Sequence, residues 1–211
     1  CEMCIRDSSY TAELETIYQS IYGFTALSFE FGIDKIESSN LGNHKRNKSG
    51  VSLEHKADLF SVIDLSVGGY LYKYDSWGWK FCPNADMGFQ INQDFRFYAS
   101  IGRSFRIPTF TELYYSSPAQ IGNSALKPEE ALSYEAGFKY ITENINSSAA
   151  IFARNGKNLI DWSKINSQDK WTANNIANLN TTGFEISFTL LPQTLFFKSP
   201  ISKISLGYTY I

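Results

Sequence analysis

The residues best suited to metal chemistry are three cysteines and two histidines. Cys1 and Cys4 have the spacing of half a zinc site, but no second pair of ligands follows them. His44 and His55 complete no such set, and Cys82 lies far from the other cysteines. The sequence therefore predicts no metal site and no cofactor.

A hydrolytic triad is also not indicated. Ser104 and Ser133, the second of which lies close to Glu135, have no histidine partner in the sequence that could serve as a general base. The 211 residues carry a formal net charge of −2, so there is no general case for nucleic-acid binding either. These patterns give no positive indication of an enzyme.

The elements that would position a binding site are β-strands. Alternation of apolar and polar residues recurs along the chain, as in Phe95–Arg106, where Phe97, Ala99 and Ile101 share one face and Arg96, Tyr98 and Ser100 the other. No interior segment has helical periodicity, apart from a short turn near Pro128–Ala131. Ten strands are predicted: 10–21, 24–38, 49–57, 61–74, 79–91, 94–106, 131–142, 147–160, 172–190 and 201–211.

The lengths of these strands and of their connections suggest a membrane barrel. Several strands exceed the roughly 9–11 residues that a tilted strand needs to cross the hydrocarbon layer. Short turns are predicted at 22–23, 56–60, 92–94 and 142–146, and longer loops at 39–48, 75–78, 107–130 and 161–171. Short turns on one side and long loops on the other are typical of outer-membrane barrels. A soluble β-sandwich that binds a partner remains the alternative, because alternation alone does not tell inside from outside.

One stretch carries a more specific resemblance. Phe105-Arg106-Ile107-Pro108-Thr109 is followed by Glu112-Leu113-Tyr114, then by Gly122-Asn123 with Leu126-Lys127-Pro128-Glu129, and then by Tyr134-Glu135-Ala136-Gly137-Phe138-Lys139. In this order the motifs resemble the barrel of TonB-dependent outer-membrane receptors. Segments such as "NLIDW" (158–162) and "NTTGFE" (180–185) look most like the vitamin B12 receptor branch.

The resemblance implies an all-β fold, an antiparallel up-and-down transmembrane β-barrel. Receptors of this family have 22 strands around a plug, so about ten strands without the plug make a partial barrel. It also implies a Gram-negative outer-membrane protein that binds a scarce small molecule, of the cobalamin or ferric-siderophore class. TonB would energise uptake through a plug that this chain does not contain, and membrane lipid would surround the barrel. A non-transporting barrel, such as a porin or adhesin, is the second alternative.

Domain boundaries follow from the same comparison. The opening "CEMCIRDS" resembles translated sequencing-adapter sequence, so residues 1–8 are predicted to be a non-native leader and residues 9–211 the barrel.

The predicted site residues fall into two groups. Large rings in the outward loops are expected to contact the ligand, because they offer contact area at little cost in side-chain entropy; each could instead pack its own loop. They are Tyr114, Tyr115, Trp77, Trp162 and Trp171. The residues of the family motifs are expected to be structural, with Arg106 pairing with Glu112 or Glu129 to hold the loop against the barrel. They are Arg106, Pro108, Glu112, Asn123, Leu126, Pro128, Glu129, Glu135 and Gly137.

Overall fold

A computed structural model describes residues 5–164, 166, 169–192 and 200–211 of the protein. It confirms the all-β prediction, and each of the ten predicted strands appears. The strands are β1 (Ile5–Ser20), β2 (Gly23–Ser38), β3 (Gly42–Leu59), β4 (Ile63–Tyr74), β5 (Gly78–Gln90), β6 (Phe95–Arg106), β7 (Gln120–Ile121), β8 (Glu129–Ile141), β9 (Ile145–Ser163), β10 (Trp171–Leu190) and β11 (Ile204–Tyr210). A short helix, α1, spans Phe110–Tyr114.

All of the strands belong to one sheet. The long strands pair antiparallel in chain order, β1 through β6 and then β8 through β11, while the short β7 pairs parallel with β10. The order begins at β1 and ends at β11, and within the described residues no ladder joins these two. A single up-and-down sheet of this kind is a segment of barrel wall. It is not the pair of packed sheets that a soluble β-sandwich requires.

The two faces of the sheet differ sharply in polarity. One face carries large apolar side chains that remain exposed, such as Phe138 (53% exposed), Ile151 (65%) and Phe184 (37%). The other carries ion pairs between strands, including Lys48 with Glu30 at 2.7 Å on neighbouring strands and Arg96 with Asp64 across the intervening β5. An uncovered apolar face opposite a charged face is the arrangement of a barrel with a lipid-facing exterior and a polar lumen. We call these the outer face and the lumen face.

One end of the sheet carries the longest connection, residues 107–128, but the other loops predicted at this end are shorter than the sequence indicated. The predicted loop 39–48 is wrong in extent, because β3 begins at Gly42 and only residues 39–41 lie outside the strands. Residues 42–48 are polar, yet they pair with β2, because charged side chains on the lumen face do not disturb the backbone hydrogen bonds of the ladder. The other connections at this end are residues 75–77, 107–128 and 164–170. We call the end of the sheet that carries them the mouth.

Two further differences concern local structure. The helical turn predicted near Pro128–Ala131 is wrong, since Glu129 already begins β8, and the helix lies instead at Phe110–Tyr114. Five residues are too few for helical periodicity to appear in the sequence. Cys1 and Cys4 lie outside the described residues, and so do residues 1–4 of the predicted leader. Residues 5–8 pair with residues 35–38 of β2.

Gly137 provides a test of the packing on the lumen face. A Cβ atom at this position would lie 2.6 Å from the carbonyl oxygen of Ala149 and 2.8 Å from the ring of Tyr98, so backbone would have to move. We expect Gly137→Ala to lower the free energy of unfolding by about 1–3 kcal/mol, as overpacking does. Denaturant titration of the protein in detergent micelles measures this.

Gly102 is the matched control, because it lies on the same face of the neighbouring strand. Its Cβ would meet only Asn84 Cβ at 3.7 Å, an ordinary contact. Gly102→Ala should therefore be neutral or slightly stabilising. Equal effects of the two substitutions would show that the close approach at Gly137 is not a constraint.

Candidate functional site

The candidate site is the loop of residues 107–128, which joins β6 to β8 at the mouth. β6 ends at Arg106, and the buried Pro108 follows, which has no N–H to continue the ladder. Thr109 then starts α1 with a capping box: its hydroxyl accepts from the Glu112 N–H at 3.2 Å, and its own N–H donates to the Glu112 carboxylate at 2.7 Å. The loop therefore turns back over the sheet within a few residues of leaving it.

Arg106 holds this loop in place through hydrogen bonds near its start and just after its end. Its guanidinium donates two hydrogen bonds to Glu129 at 2.7 Å and two to Glu112 at 3.0 Å. The sequence indicated one partner or the other, and the structure has both. Burial acts to raise the pKa of Glu112, but the hydrogen bonds from Arg106 and Thr109 outweigh it and hold the pKa below its usual value. Glu112 therefore stays ionised at neutral pH.

The interior of the loop is a small apolar core. Leu113, Leu126 and Ala173 are buried together, so α1, the end of the loop and β10 meet at one point. Trp77, Tyr114, Ile160 and Trp162 pack around them. The Trp77 indole N–H donates to the Leu126 carbonyl at 3.1 Å, which adds a polar anchor from the neighbouring turn. The 107–128 loop is thus a packed substructure with its own core.

Asparagines and β7 fix the loop to β10. Asn175 exchanges hydrogen bonds with the backbone of Lys127, accepting from its N–H and donating to its carbonyl, both at 2.9 Å. Asn123 donates its backbone N–H to the Glu112 carbonyl at 2.8 Å, which closes the loop on α1. β7 adds two parallel pairs, to Trp171 and Thr172. These polar contacts satisfy backbone groups that the loop would otherwise bury unpaired.

Two residues from β3 reach this loop, and the sequence did not predict this contact for either of them. Arg46 is only 9% exposed; it donates to the Pro108 carbonyl at 2.8 Å and lies over the Phe110 ring at 4.4 Å and the Trp77 ring at 5.6 Å. His44 stacks on Tyr114 with ring centroids 3.6 Å apart. Both lie on the lumen face, in register with Lys48 and Glu54. Extending the alternation of β3 backwards through "HKRNK" would have placed them there.

Arg46 is held by more than one kind of interaction. Asp34 of β2 lies 3.7 Å from its Nε atom, which has no hydrogen-bond partner in the structure. The remaining favourable contacts are the two aromatic rings and the Pro108 carbonyl. Arg46 therefore links the β2–β3 hairpin to the base of the 107–128 loop.

Comparison with known proteins agrees with this architecture. A family model described as TonB dependent receptor-like, beta-barrel, matches residues 12–211. The chain belongs to this receptor-barrel family. The family predicted from the sequence is thereby confirmed.

Individual relatives point to two kinds of receptor. The chain is 31% identical over 131 residues to the vitamin B12 transporter BtuB of Vibrio vulnificus, which covers 62% of this chain and 19% of that protein. Its fold is similar to the siderophore receptor PirA from Pseudomonas aeruginosa, with a TM-score of 0.80, 16% identity, and coverage of 98% and 40%. A mutant of the ferric enterobactin receptor PfeA from the same organism, in complex with enterobactin, gives a TM-score of 0.78, 18% identity, and coverage of 98% and 36%. The chain thus spans less than half the length of each.

Within this receptor barrel, the aromatic residues predicted to contact a ligand do not all face outward. Trp77, Trp162 and Tyr114 pack against the loop core, and Tyr114 is also covered by His44. Tyr115 is half-buried at the C-cap of α1. Trp171 is 43% exposed beside β7, with Lys164 over its ring at 5.2 Å. The structure therefore brings all five to one end of the sheet, and Trp171 is the exposed ring among them.

The motif residues divide by depth. Pro108, Leu126 and Pro128 are buried in or beside the loop. Glu135 lies deeper on the lumen face, two pairs along the β6–β8 ladder from Gly137, and accepts a hydrogen bond from the Tyr98 hydroxyl at 2.9 Å. In the part of the chain that the structure describes, no group of three or more His, Cys, Asp or Glu residues could hold a metal ion.

Arg106 gives a test of how the loop is held. We expect Arg106→Ala to release both carboxylates and to raise the rate of chymotrypsin cleavage within residues 110–115 about tenfold. Because the guanidinium is 43% exposed, solvent screening keeps the cost at about 1–2 kcal/mol, below that of a fully buried pair. Limited proteolysis followed by mass spectrometry locates the cuts.

Arg103 supplies the control on the same strand. Its side chain is 46% exposed and forms an ion pair with Glu130, which also pairs with Lys80. Arg103→Ala should leave cleavage of the loop unchanged. Similar acceleration in both variants would mean that loss of any charge from β6 loosens the loop.

Proposed function

We propose that this chain forms part of the barrel of a TonB-energised outer-membrane receptor that imports a scarce small molecule. The observation that carries the proposal is the packed 107–128 loop, anchored by Arg106 and Arg46 at the mouth of a sheet with a polar lumen face. Such a loop can present ligand-contacting groups in one fixed arrangement, which lowers the entropy lost on binding. The proposal includes no covalent chemistry on the ligand, no cofactor and no nucleic acid.

The proposed ligand is of the cobalamin or ferric-siderophore class. Relatives named as a vitamin B12 transporter and as siderophore receptors support both classes, and the higher identity is to the B12 transporter. We therefore expect cobalamin to bind the more tightly. Energy for uptake would come from the TonB complex, acting through a plug that lies in the lumen against residues such as Glu135.

The proposed contact residues are the five mouth aromatics. Trp171, which is exposed, and Tyr115, which lies outside the loop core, would touch the ligand, whereas Trp77, Trp162 and Tyr114 would shape the surface beneath them. The proposal thus distinguishes rings that contact the ligand from rings that hold them in place, a distinction that the sequence alone does not provide. The proposed site is thus centred where β7 meets β10.

Trp171 tests the contact assignment. In the complete receptor that carries this chain, Trp171→Ala should weaken binding of cyanocobalamin or ferric enterobactin about tenfold, as the loss of roughly 1.4 kcal/mol of ring contact would. Equilibrium binding to the purified receptor measures this with both ligands.

Trp79 is the matched control for that experiment. It is 61% exposed but lies on the outer face of β5, away from the loop core. Trp79→Ala should leave affinity unchanged. Binding that is insensitive to Trp171→Ala would assign this ring to packing of the loop, and failure to bind either ligand would contradict the proposed ligand class.

Outer-membrane placement has its own test. Ile151 points out from the middle of β9, and Ile151→Arg should cost about 2–4 kcal/mol of folding free energy in lipid vesicles, because a charge would enter the hydrocarbon. Ser148→Arg, on the lumen face of the same strand, should cost far less. The folded fraction is read from heat-modifiable migration on gels. Equal losses from the two substitutions would contradict a lipid-facing outer face.

A further inference from the structure

A proline lies inside β5, a strand with a neighbour on each side, and the proposed function does not account for it. Proline has no N–H and is normally confined to edge strands and bulges. Pro83 nevertheless pairs with Gly69 of β4, and that ladder continues past it to Gly78. On the other side, the β5–β6 ladder ends at the pair Asn84 and Gly102, directly before Pro83. The proline therefore coincides with the point where β5 and β6 part.

The direction of the missing N–H explains why only one of the two ladders ends. At the turn that joins β5 to β6, the Ile91 N–H donates to the Phe95 carbonyl at 2.9 Å. Such bonds recur at every second residue of an antiparallel ladder, so an N–H at position 83 would point to β6, at Arg103. β4 needs no hydrogen bond from this position. Pro83 therefore ends the ladder to β6 without disturbing the ladder to β4.

Beyond this point the end of β6–β8 is displaced from the line of β4–β5. β6 stays paired with β8 up to Arg106 and Glu129. By alternation Phe105 belongs to the outer face, yet its ring packs on Tyr72 and Tyr74 of the lumen face, with centroids 5.7 and 5.9 Å apart. A continuous sheet would keep these rings on opposite faces. The β6–β8 end has therefore moved to the lumen side of β4–β5.

An ion pair shows the same displacement. Lys80 lies opposite Tyr72 in the β4–β5 register, on the lumen face. Glu130 lies opposite Phe105 in the β6–β8 register, and by alternation on the outer face. Lys80 and Glu130 nevertheless meet at 3.1 Å, and their side chains are only 22% and 25% exposed. One aromatic and one ionic contact thus agree that the outer side of the β6–β8 end faces the lumen side of β4–β5.

This displacement decides where the 107–128 loop lies, because the ends of β6 and β8 carry the loop. Trp77, in the turn after β4, packs on Leu113 and Leu126 and donates to the Leu126 carbonyl at 3.1 Å. These contacts join the loop to the β4–β5 end through side chains, in the region where the strands share no ladder. A continued β5–β6 ladder would hold β6 in line with β5 and would carry the loop away from Trp77.

We propose that Pro83 is a positioning residue of the mouth. By withholding one hydrogen bond from β6, it lets the β6–β8 end move inward and place the 107–128 loop against Trp77. Pro83 lies on the outer face by alternation, so it would act on the ligand only through the loop. The consequence for the ligand rests on the proposed function, in which this loop holds Trp171 and Tyr115.

Pro83→Val tests the proposal in the complete receptor, because valine restores the N–H and suits a lipid-facing strand position. In a continued ladder Cys82 would lie directly opposite residue 104, within the roughly 7 Å between Cα atoms that a disulfide needs. Ser104→Cys therefore reports the ladder. Under mild oxidation, Pro83→Val/Ser104→Cys should form this disulfide about tenfold faster than Ser104→Cys alone, as one added hydrogen bond would allow. Peptide mapping by mass spectrometry measures it.

Pro83→Val alone should misplace the loop. We expect faster chymotrypsin cleavage within residues 110–115 and about tenfold weaker binding of cyanocobalamin or ferric enterobactin, in proportion to the fraction of receptor left in the inward form. Ala85→Val is the matched control, since Ala85 lies two residues away on the same face, inside the β5–β6 ladder. It adds the same side chain without a new N–H and should leave cleavage and affinity unchanged. Heat-modifiable migration on gels checks that each variant folds.

Three results would overturn the proposal. Equal disulfide formation with proline and with valine at position 83 would show that the proline does not keep the strands apart. Faster disulfide formation with unchanged loop cleavage, or with unchanged ligand affinity, would show that the parting of the strands does not position the site. A receptor that binds neither cyanocobalamin nor ferric enterobactin would contradict the proposed function, while the disulfide and cleavage measurements, which need no ligand, would still decide the role of Pro83.

Discussion

The register of the β6–β8 ladder is the constraint on which the mouth of this barrel depends. A sheet in lipid must pair its own backbone groups, so these two strands stay paired from Phe95 with Tyr140 to Arg106 with Glu129. That last pair places Arg106 beside one of its two carboxylates before the loop begins. A shift of one residue would turn Arg106 to the outer face and separate it from both.

Two arginines then stabilise the loop from different distances in the sequence. Arg106 acts locally, joining the end of β6 to α1 and to the start of β8. Arg46 acts across 62 residues, bringing the β2–β3 hairpin to the Pro108 carbonyl and to the Phe110 ring. Because a guanidinium offers both directional donors and a flat cationic face, one residue can satisfy a carbonyl and stack on rings at the same time. Lysine would reproduce neither contact set.

The sequence was sufficient for the parts of the structure that are periodic or local. Alternation located the strands and placed Glu135 and Phe138 on opposite faces of the sheet. The spacing of Pro108, Glu112 and Glu129 around Arg106 indicated the anchored loop. The contacts of Arg46 and His44 could not be read in this way. They depend on how far β3 extends and on the curvature that brings it near α1, and both are properties of the whole sheet. α1 and β7 are too short to leave a periodic signal.

The aromatic residues illustrate the same limit of prediction from sequence. An aromatic ring in a polar loop can lower the free energy either by packing within the loop or by contacting a bound ligand. The residue type alone does not tell which of these two roles a ring has. Trp77, Tyr114 and Trp162 surround a core of only Leu113, Leu126 and Ala173, which is too small to order a 22-residue loop without them. Their burial is therefore a condition for Trp171 and Tyr115 to be held in place. The proposed recognition at this mouth would therefore depend on rings that need not touch the ligand, since they fix the position of the rings proposed to touch it.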